Sequence, residues 1–192
     1  MDMAAAQASL NIVQDFIPQG SSNRPGTPLV PASVTIHNTD NADPGADAAR
    51  HAKYQKGPDA RKRQVSWHFT VDDHSVYQSL PTNEIGWHAG TSAGNHSSIG
   101  VEICMNPELD VPKTYKNAAL LTAVLLHQHA IPLSIGVKQH HDWSGKDCPT
   151  ILRHTANGWA DFLADVAQFY GQITEVAAAD LDPAFAATHH HA

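Results

Sequence analysis

Residues 138–149 concentrate side chains that bind metals. The segment contains His140, His141 and Cys148, together with aspartate and lysine side chains. Imidazole and thiolate groups are preferred protein ligands of Zn²⁺. Because the segment supplies two or three ligands at most and a closed structural site needs four, either further ligands lie elsewhere in the chain or one position stays open to water.

His37 is the best candidate for a ligand from another part of the chain. It ends a short β-branched run, 33–37, that predicts a buried strand, and strand ends open onto the sheet edge where sites form in α/β proteins. Taken alone, His37 is more simply a core histidine bonded to backbone; the need of residues 138–149 for a partner favours a ligand. Spacing does not choose between His140 and His141, since adjacent residues of an extended chain point in opposite directions.

Two histidines and one thiolate would leave a fourth position for a water molecule that attacks a carbonyl. Such a hydrolase also needs a base and a group that stabilises the oxyanion. Glu102 lies in an otherwise apolar predicted strand, 98–104, where an unused buried carboxylate would be costly; the alternative is a glutamate on a half-solvated sheet face. Lys146, two residues before Cys148, could stabilise a tetrahedral intermediate; the alternative is a surface lysine beside an aspartate.

The elements that must position these residues alternate between strands and helices. Period-two and β-branched patterns predict strands, and apolar residues at helical spacing predict helices. We predict strands at 33–37, 65–71, 75–80, 98–104 and around 137, and helices at 46–56, 114–130 and 157–170. The alternation predicts an α/β fold, a single domain with a central β-sheet flanked by helices. The sheet should be mixed, because 65–71 and 75–80 are predicted to form an antiparallel hairpin.

The two ends of the chain lack clear patterns. We interpret residues 1–10 as a flexible leader, 11–171 as the domain and 172–192 as a flexible tail or linker, whose terminal histidines are a remnant rather than a second metal site. Residues 16–32 contain four prolines and predict an extended segment without helix. The basic cluster 61–63 is most simply a solvated loop.

Composition excludes several classes of function. A formal net charge of −7 argues against a nucleic-acid partner. No run approaches the ~20 apolar residues that span a bilayer, so we expect no membrane insertion. The two cysteines build no disulfide framework. The first residues lack a basic region and a long apolar segment, so we expect synthesis in the cytoplasm without a standard signal peptide. We also expect a monomer.

Five motifs then follow one another in the order of a known family. They are Val34-Thr35-Ile36-His37-Asn38-Thr39, 66–73, Gly86-Trp87-His88-Ala89-Gly90, 98–104 and 140–149. With them, residues 11–170 resemble the zinc-dependent N-acetylmuramoyl-L-alanine amidases, a family that includes phage and prophage endolysins and peptidoglycan recognition proteins. Residues 23–26 and 143–149 are most similar to the Bacillus prophage endolysin subgroup.

The resemblance implies that His37, His140 and Cys148 bind one Zn²⁺ per chain. It selects His140 because the family ligand lies three residues before the tryptophan and eight before the cysteine. Glu102 matches the catalytic carboxylate of the family, and Lys146 matches its oxyanion lysine. The implied reaction is hydrolysis of the amide between N-acetylmuramic acid and L-alanine, on peptidoglycan or muropeptide, at the cell wall if the protein is an endolysin.

Further residues resemble the groups that line the substrate cleft of the family. Asn38, Trp87, His88 and Ala89 belong to this set, and His68 joins it with a packing role as the alternative. Two positions depart from relatives: Trp67 replaces a tyrosine of some members, and His96 replaces an arginine common in the subgroup. The alternative function is a non-catalytic peptidoglycan-binding recognition module on the same fold.

Overall fold

The computed structural model describes residues 1–173 and confirms an α/β domain with a mixed central sheet. The strands are β1 Ile12–Gln14, β2 Ser33–Asn38, β3 Phe69–Val71, β4 Val76–Gln78, β5 Ser98–Ile103 and β6 Val137–Gln139. Their order in the sheet is β1-β4-β3-β5-β2-β6. The β3–β4 pair is antiparallel, as the predicted hairpin requires, and the other neighbours are parallel.

Helices cover the sheet and carry part of the site. In chain order they are α1 Met3–Ser9, α2 Ala48–Gln55, α3 Pro58–Arg63, α4 Ser92–Asn95, α5 Val111–Gln128, α6 Leu133–Gly136, α7 His140–Ser144, α8 Thr150–His154 and α9 Gly158–Gln172. No helix within residues 1–173 is both long and apolar enough to cross a membrane.

Strands β2 and β5 form the centre of the sheet. The β2 sequence contains Val34, Thr35 and Ile36, and branching at Cβ favours extended backbone. All six β2 residues are buried. The parallel register pairs His37 with Glu102 near the carboxyl ends of the two strands. Two residues more than sixty positions apart therefore become neighbours at the edge of the sheet where α/β proteins form sites.

The main apolar core lies between the sheet and the pair α5 and α9. Helix α5 buries Leu121, Val124 and Leu125, while α9 buries Phe162 and Val166. Each such side chain contributes about 1.5–3 kcal/mol when it is removed from water. Asp110 begins α5 by accepting a hydrogen bond from the Lys113 backbone N–H at 3.1 Å. The core therefore provides a rigid support for the strand ends.

Residues 1–10, for which the sequence predicts a flexible leader, contain helix α1 and contact the main core. Asp2 caps α1 by accepting a hydrogen bond from the Ala5 backbone N–H at 2.7 Å, and Ala6 and Leu10 are buried in the main core. Alanine favours helix, and these two apolar residues lie on one helical face, a pattern too short to recognise in the sequence. At the other end, α9 continues to Gln172 and Ile173 is buried. The predicted tail beyond Ile173 lies outside the described residues.

Two local predictions also change. The strand predicted at 65–71 is reduced to β3. The basic residues 61–63 form the last turn of α3 rather than a loop, where positive charge interacts favourably with the helix dipole. Cys104 and Cys148 are free and buried, as the absence of a disulfide framework predicts.

Candidate metal centre

Three elements bring His37, His140 and Cys148 together. His37 lies near the end of β2, His140 begins α7, and Cys148 lies between α7 and α8. The two histidine Nδ1 atoms are 3.0 Å apart, and Cys148 Sγ is 3.8 Å from His37 Nδ1. All three side chains are buried, and their ligand atoms lie within 4.8 Å of one another. His141 instead directs Nδ1 to the Lys146 carbonyl, 3.1 Å away.

Helix α7 places its first residue by local hydrogen bonds. Asp142 accepts from the Gln139 backbone N–H at 2.8 Å, which completes a capping box. Gly145 ends the helix with a left-handed φ of 73°. The His141 N–H then donates to the Cys148 carbonyl at 2.9 Å. This bond fixes the spacing between the two ligand segments.

The three groups fit a zinc ion. Tetrahedral bonds of about 2.05 Å to nitrogen and about 2.3 Å to sulfur separate two nitrogens by about 3.3 Å and nitrogen from sulfur by about 3.6 Å. The separations in the structure lie within about 0.3 Å of these values. Burial lowers the pKa of His37 well below its usual range and that of His140 to about 4, so both rings are neutral and able to bind a cation. Burial also raises the pKa of the Cys148 thiol to about 12, so a cation is needed to hold it as thiolate.

Glu102 lies beside this cluster. Its Oε1 is 3.8 Å from His37 Nδ1, and its Oε2 is buried without a hydrogen-bond partner in residues 1–173. Burial raises the pKa of Glu102 to about 8, against the opposing effect of the Lys146 charge. A buried carboxyl with one oxygen unpaired is costly, and the carboxyl also borders the open cleft. The arrangement suits a group that exchanges a proton with a molecule bound in the cleft.

Lys146 reaches the same cleft but is held by a residue that sequence reasoning missed. Its Nζ is 3.1 Å from Asp40 Oδ2. Partial burial lowers the pKa of Lys146, but the hydrogen bond to Asp40 and nearby negative charges outweigh this and raise it. Asp40 follows the end of β2 and also accepts from the Thr150 hydroxyl at 3.0 Å. The only sequence signal for Asp40 was its position three residues after His37.

The cleft has a volume of about 980 Å³ and contains two of the predicted substrate contacts. Trp87 and His88 line it, as do His37, Glu102 and His140. Further lining residues were not predicted from the sequence, among them Arg50, Tyr54, Arg63 and Thr91. Arg50 lies on the alanine-rich α2 and Arg63 in the cluster interpreted as a solvated loop. Charge alone carried no signal that these side chains border the cleft.

Three residues predicted as substrate contacts are buried and are not among the residues that line the cleft. Asn38 donates to the Ile103 carbonyl and the Tyr115 hydroxyl and accepts from the Ile151 N–H. Its amide therefore joins β2 to its neighbours. His68 is fully buried; its Nε2 donates to the Glu84 carbonyl at 2.8 Å, and its Nδ1 accepts from the Gly100 N–H at 2.9 Å. Ala89 is fully buried as well.

Comparison with known proteins identifies a family for this chain. The family model described as N-acetylmuramoyl-L-alanine amidase matches residues 26–151. The chain is 50% identical over 159 residues to N-acetylmuramoyl-L-alanine amidase XlyA of Bacillus subtilis strain 168, covering 82% of this chain and 51% of XlyA. It is 46% identical over 157 residues to N-acetylmuramoyl-L-alanine amidase CwlH of the same strain, covering 80% of this chain and 60% of CwlH. The chain thus spans about half of one curated relative and three fifths of the other.

Solved structures share the fold. The catalytic domain of XlyA superposes with a TM-score of 0.75 at 50% identity, covering 81% of this chain and 99% of that domain. The solution structure of the PlyG catalytic domain gives a TM-score of 0.72 at 28% identity, with coverages of 83% and 95%. The motif order, the grouping of His37, His140 and Cys148, and these matches lead to one assignment. The chain belongs to the N-acetylmuramoyl-L-alanine amidase family.

Proposed function

We propose that this protein is a zinc-dependent hydrolase that cleaves the amide bond between N-acetylmuramic acid and L-alanine in peptidoglycan. The observation that carries the proposal is the placement of two imidazoles, a thiol and the buried Glu102 carboxyl at one end of an open cleft. The names of XlyA and CwlH as N-acetylmuramoyl-L-alanine amidases support the choice of bond. The substrate is the cell wall or muropeptides released from it, and we infer that a monomer acts there.

The residues of the chain have separate roles in the proposed reaction. His37, His140 and Cys148 would hold Zn²⁺, which polarises a carbonyl and lowers the pKa of bound water. The lactyl carbonyl is attacked by water, whose proton passes to Glu102. Glu102 then delivers that proton to the departing L-alanine amine as the carbon–nitrogen bond breaks. Both products, a lactyl carboxyl group and a free amine, are accounted for by the addition of one water.

The proposed roles require a negative charge on Glu102, which acts as the base, and a positive charge on Lys146, which stabilises the oxyanion. Glu102 must be ionised to accept a proton, and a cation close to it favours the ionised form. Lys146 carries its positive charge at the mouth of the cleft, 3.1 Å from Asp40. Since Lys146 is about half exposed, its side chain can turn from Asp40 towards the oxyanion. There its charge would stabilise the tetrahedral intermediate.

Digestion of purified sacculi tests the activity directly. Mass spectrometry should detect peptides with a free L-alanine amine and glycan strands with a free lactyl carboxyl. Elemental analysis should find one zinc per chain. Cys148→Ser should lose zinc and activity together, whereas Glu102→Gln should keep zinc and lose turnover. The matched control Glu108→Gln replaces an exposed glutamate and should retain both.

The same experiment separates the enzyme from the recognition module. A chain that binds sacculi and zinc but releases no peptide would be a binding module. Normal turnover by Glu102→Gln would show that another group is the base. The presence of both Cys148 and Glu102 supports the enzyme, because a module that only binds has no need of an unpaired buried carboxyl.

A further inference from the structure

His37 is oriented by a chain of hydrogen bonds that ends at a backbone carbonyl. His88 Nε2 lies 3.2 Å from the Ser98 carbonyl oxygen, and His88 Nδ1 lies 3.0 Å from His37 Nε2. A carbonyl only accepts, so His88 Nε2 carries the hydrogen. The His88 ring is buried and no carboxylate within residues 1–173 pairs with it, so the neutral ring is favoured, its Nδ1 accepts and His37 Nε2 donates. The lone pair of His37 is therefore on Nδ1, which faces His140 and Cys148.

The next residue of the chain orients the second histidine. The Ala89 backbone carbonyl accepts a hydrogen bond from the His140 ring. The Nε2 edge of that ring faces Gly90, where an added Cβ would lie 3.3 Å from Nε2. His140 Nδ1 remains 3.0 Å from His37 Nδ1. Two lone pairs thus face each other with no hydrogen between them, an arrangement that a cation relieves.

One side chain holds both of these partners in place. Asn95 Oδ1 accepts a hydrogen bond from the backbone N–H of His88 at 3.0 Å and another from the backbone N–H of Ala89 at 2.8 Å. Asn95 ends α4, and Gly94 packs so closely that an added Cβ would lie 2.6 Å from Ala89 Cβ. The segment 88–89 therefore has little freedom to shift relative to α4. Asn95 does not belong to the metal-ligand cluster.

We propose that Asn95 and His88 are positioning residues that hold both histidine ligands in the Nε2–H tautomer, with their Nδ1 atoms directed at the metal position before any metal binds. The inference rests on the proposed metal site and adds the residues that preorganise it. Partners that fix the tautomer of a ligand histidine commonly change metal affinity about 10- to 100-fold. His88 and Ala89 would then act on the ligands rather than on the substrate, which revises their predicted role.

The tautomers can be measured without metal or substrate. Two-bond ¹⁵N–¹H correlation spectra of the metal-free protein should show His37 and His140 protonated on Nε2. His88→Leu should disturb His37 alone, because the Ala89 carbonyl remains, while Asn95→Ala should disturb both rings. Zinc affinity, measured by competition with a chelator, should fall about 10- to 100-fold in each variant.

Two further variants separate this role from a general loss of structure. Asn95→Asp keeps an oxygen that accepts both N–H groups and should restore the tautomers and at least most of the zinc affinity. Ser97→Ala removes a hydroxyl that donates to the Ala93 carbonyl in α4, and it should change neither the tautomers nor the zinc affinity. Wild-type affinity and tautomers in Asn95→Ala would overturn the inference. Failure of the wild-type chain to bind zinc would instead overturn the proposed function.

Discussion

Replacing Gly100 by alanine tests how tightly His88 is packed against the sheet. Gly100 lies in β5, and a Cβ there would come within 2.7–2.9 Å of three atoms of the His88 ring, Cγ, Nδ1 and Cδ2. These atoms lie next to the backbone of His88, so the ring cannot avoid the methyl group by a small rotation. The ring must move away from Gly100, and its bonds to His37 and to the Ser98 carbonyl must lengthen.

The expected change in the free energy of unfolding combines two destabilising contributions and one that offsets them. Overpacking a core position costs about 1–3 kcal/mol, and loss of one buried hydrogen bond adds about 1 kcal/mol. Alanine reduces the entropy of the unfolded chain, which offsets about 0.4–1 kcal/mol. We therefore expect Gly100→Ala to lower the free energy of unfolding by about 2 kcal/mol. Zinc affinity should fall as well, because the bond that orients His37 is weakened.

Urea denaturation of the metal-free protein measures the first effect, and chelator competition measures the second. Gly171→Ala is the matched control: Gly171 is exposed in α9, and no atom lies within 4 Å of an added Cβ. This control should stabilise the protein by about 0.5–1 kcal/mol, since alanine favours helix, and should leave zinc affinity unchanged. If Gly100→Ala matched the wild type in stability and affinity, the packing of His88 against β5 would not position His37.

Three other predictions concern the N-terminal helix, the metal and Lys146. Leu10→Ala should lower the free energy of unfolding by about 3 kcal/mol, because Leu10 is buried in the main core; an unchanged urea midpoint would mean that residues 1–10 do not contribute to the fold. Zinc at about 1,000 times its Kd should stabilise the wild-type protein by about 4 kcal/mol, measured as a rise in thermal midpoint that Cys148→Ser should lack. Lys146→Ala should lower kcat about 100-fold with zinc content unchanged. If Asp40→Ala lowered kcat by the same factor with Lys146 intact, the effect would belong to Asp40.

Local patterns predicted the helices and strands well where they were long or repeated. The apolar spacing of α9 and the β-branched run of β2 were recognisable because helix and strand periods arise from local backbone geometry. Helix α1 was not predicted because a helix of about two turns with two apolar residues becomes stable only through contact with the core. The short helices α3 and α4 were missed for the same reason.

The site was predictable in its residue types but less so in its contacts. His37, Glu102, His140 and Lys146 line one cleft, and Cys148 lies beside His37 and His140. Asn38, His68 and Ala89 belong to the same motifs, yet their side chains are buried. A motif shows which residues lie near a site, but the path of the backbone decides which of them face the cleft.

The sequence by itself determined the chemistry that this protein has available: two imidazoles, a thiol, a carboxyl and an amine in ordered motifs, carried on local elements that hydrophobic periodicity defines. Only the tertiary structure decided how these groups meet. The pairing of β2 with β5 brings His37 to Glu102, and the contacts of Asn95 with residues 88–89 orient both ligand histidines. Such contacts join residues distant in sequence, or depend on a turn held by its surroundings, so no local pattern encodes them.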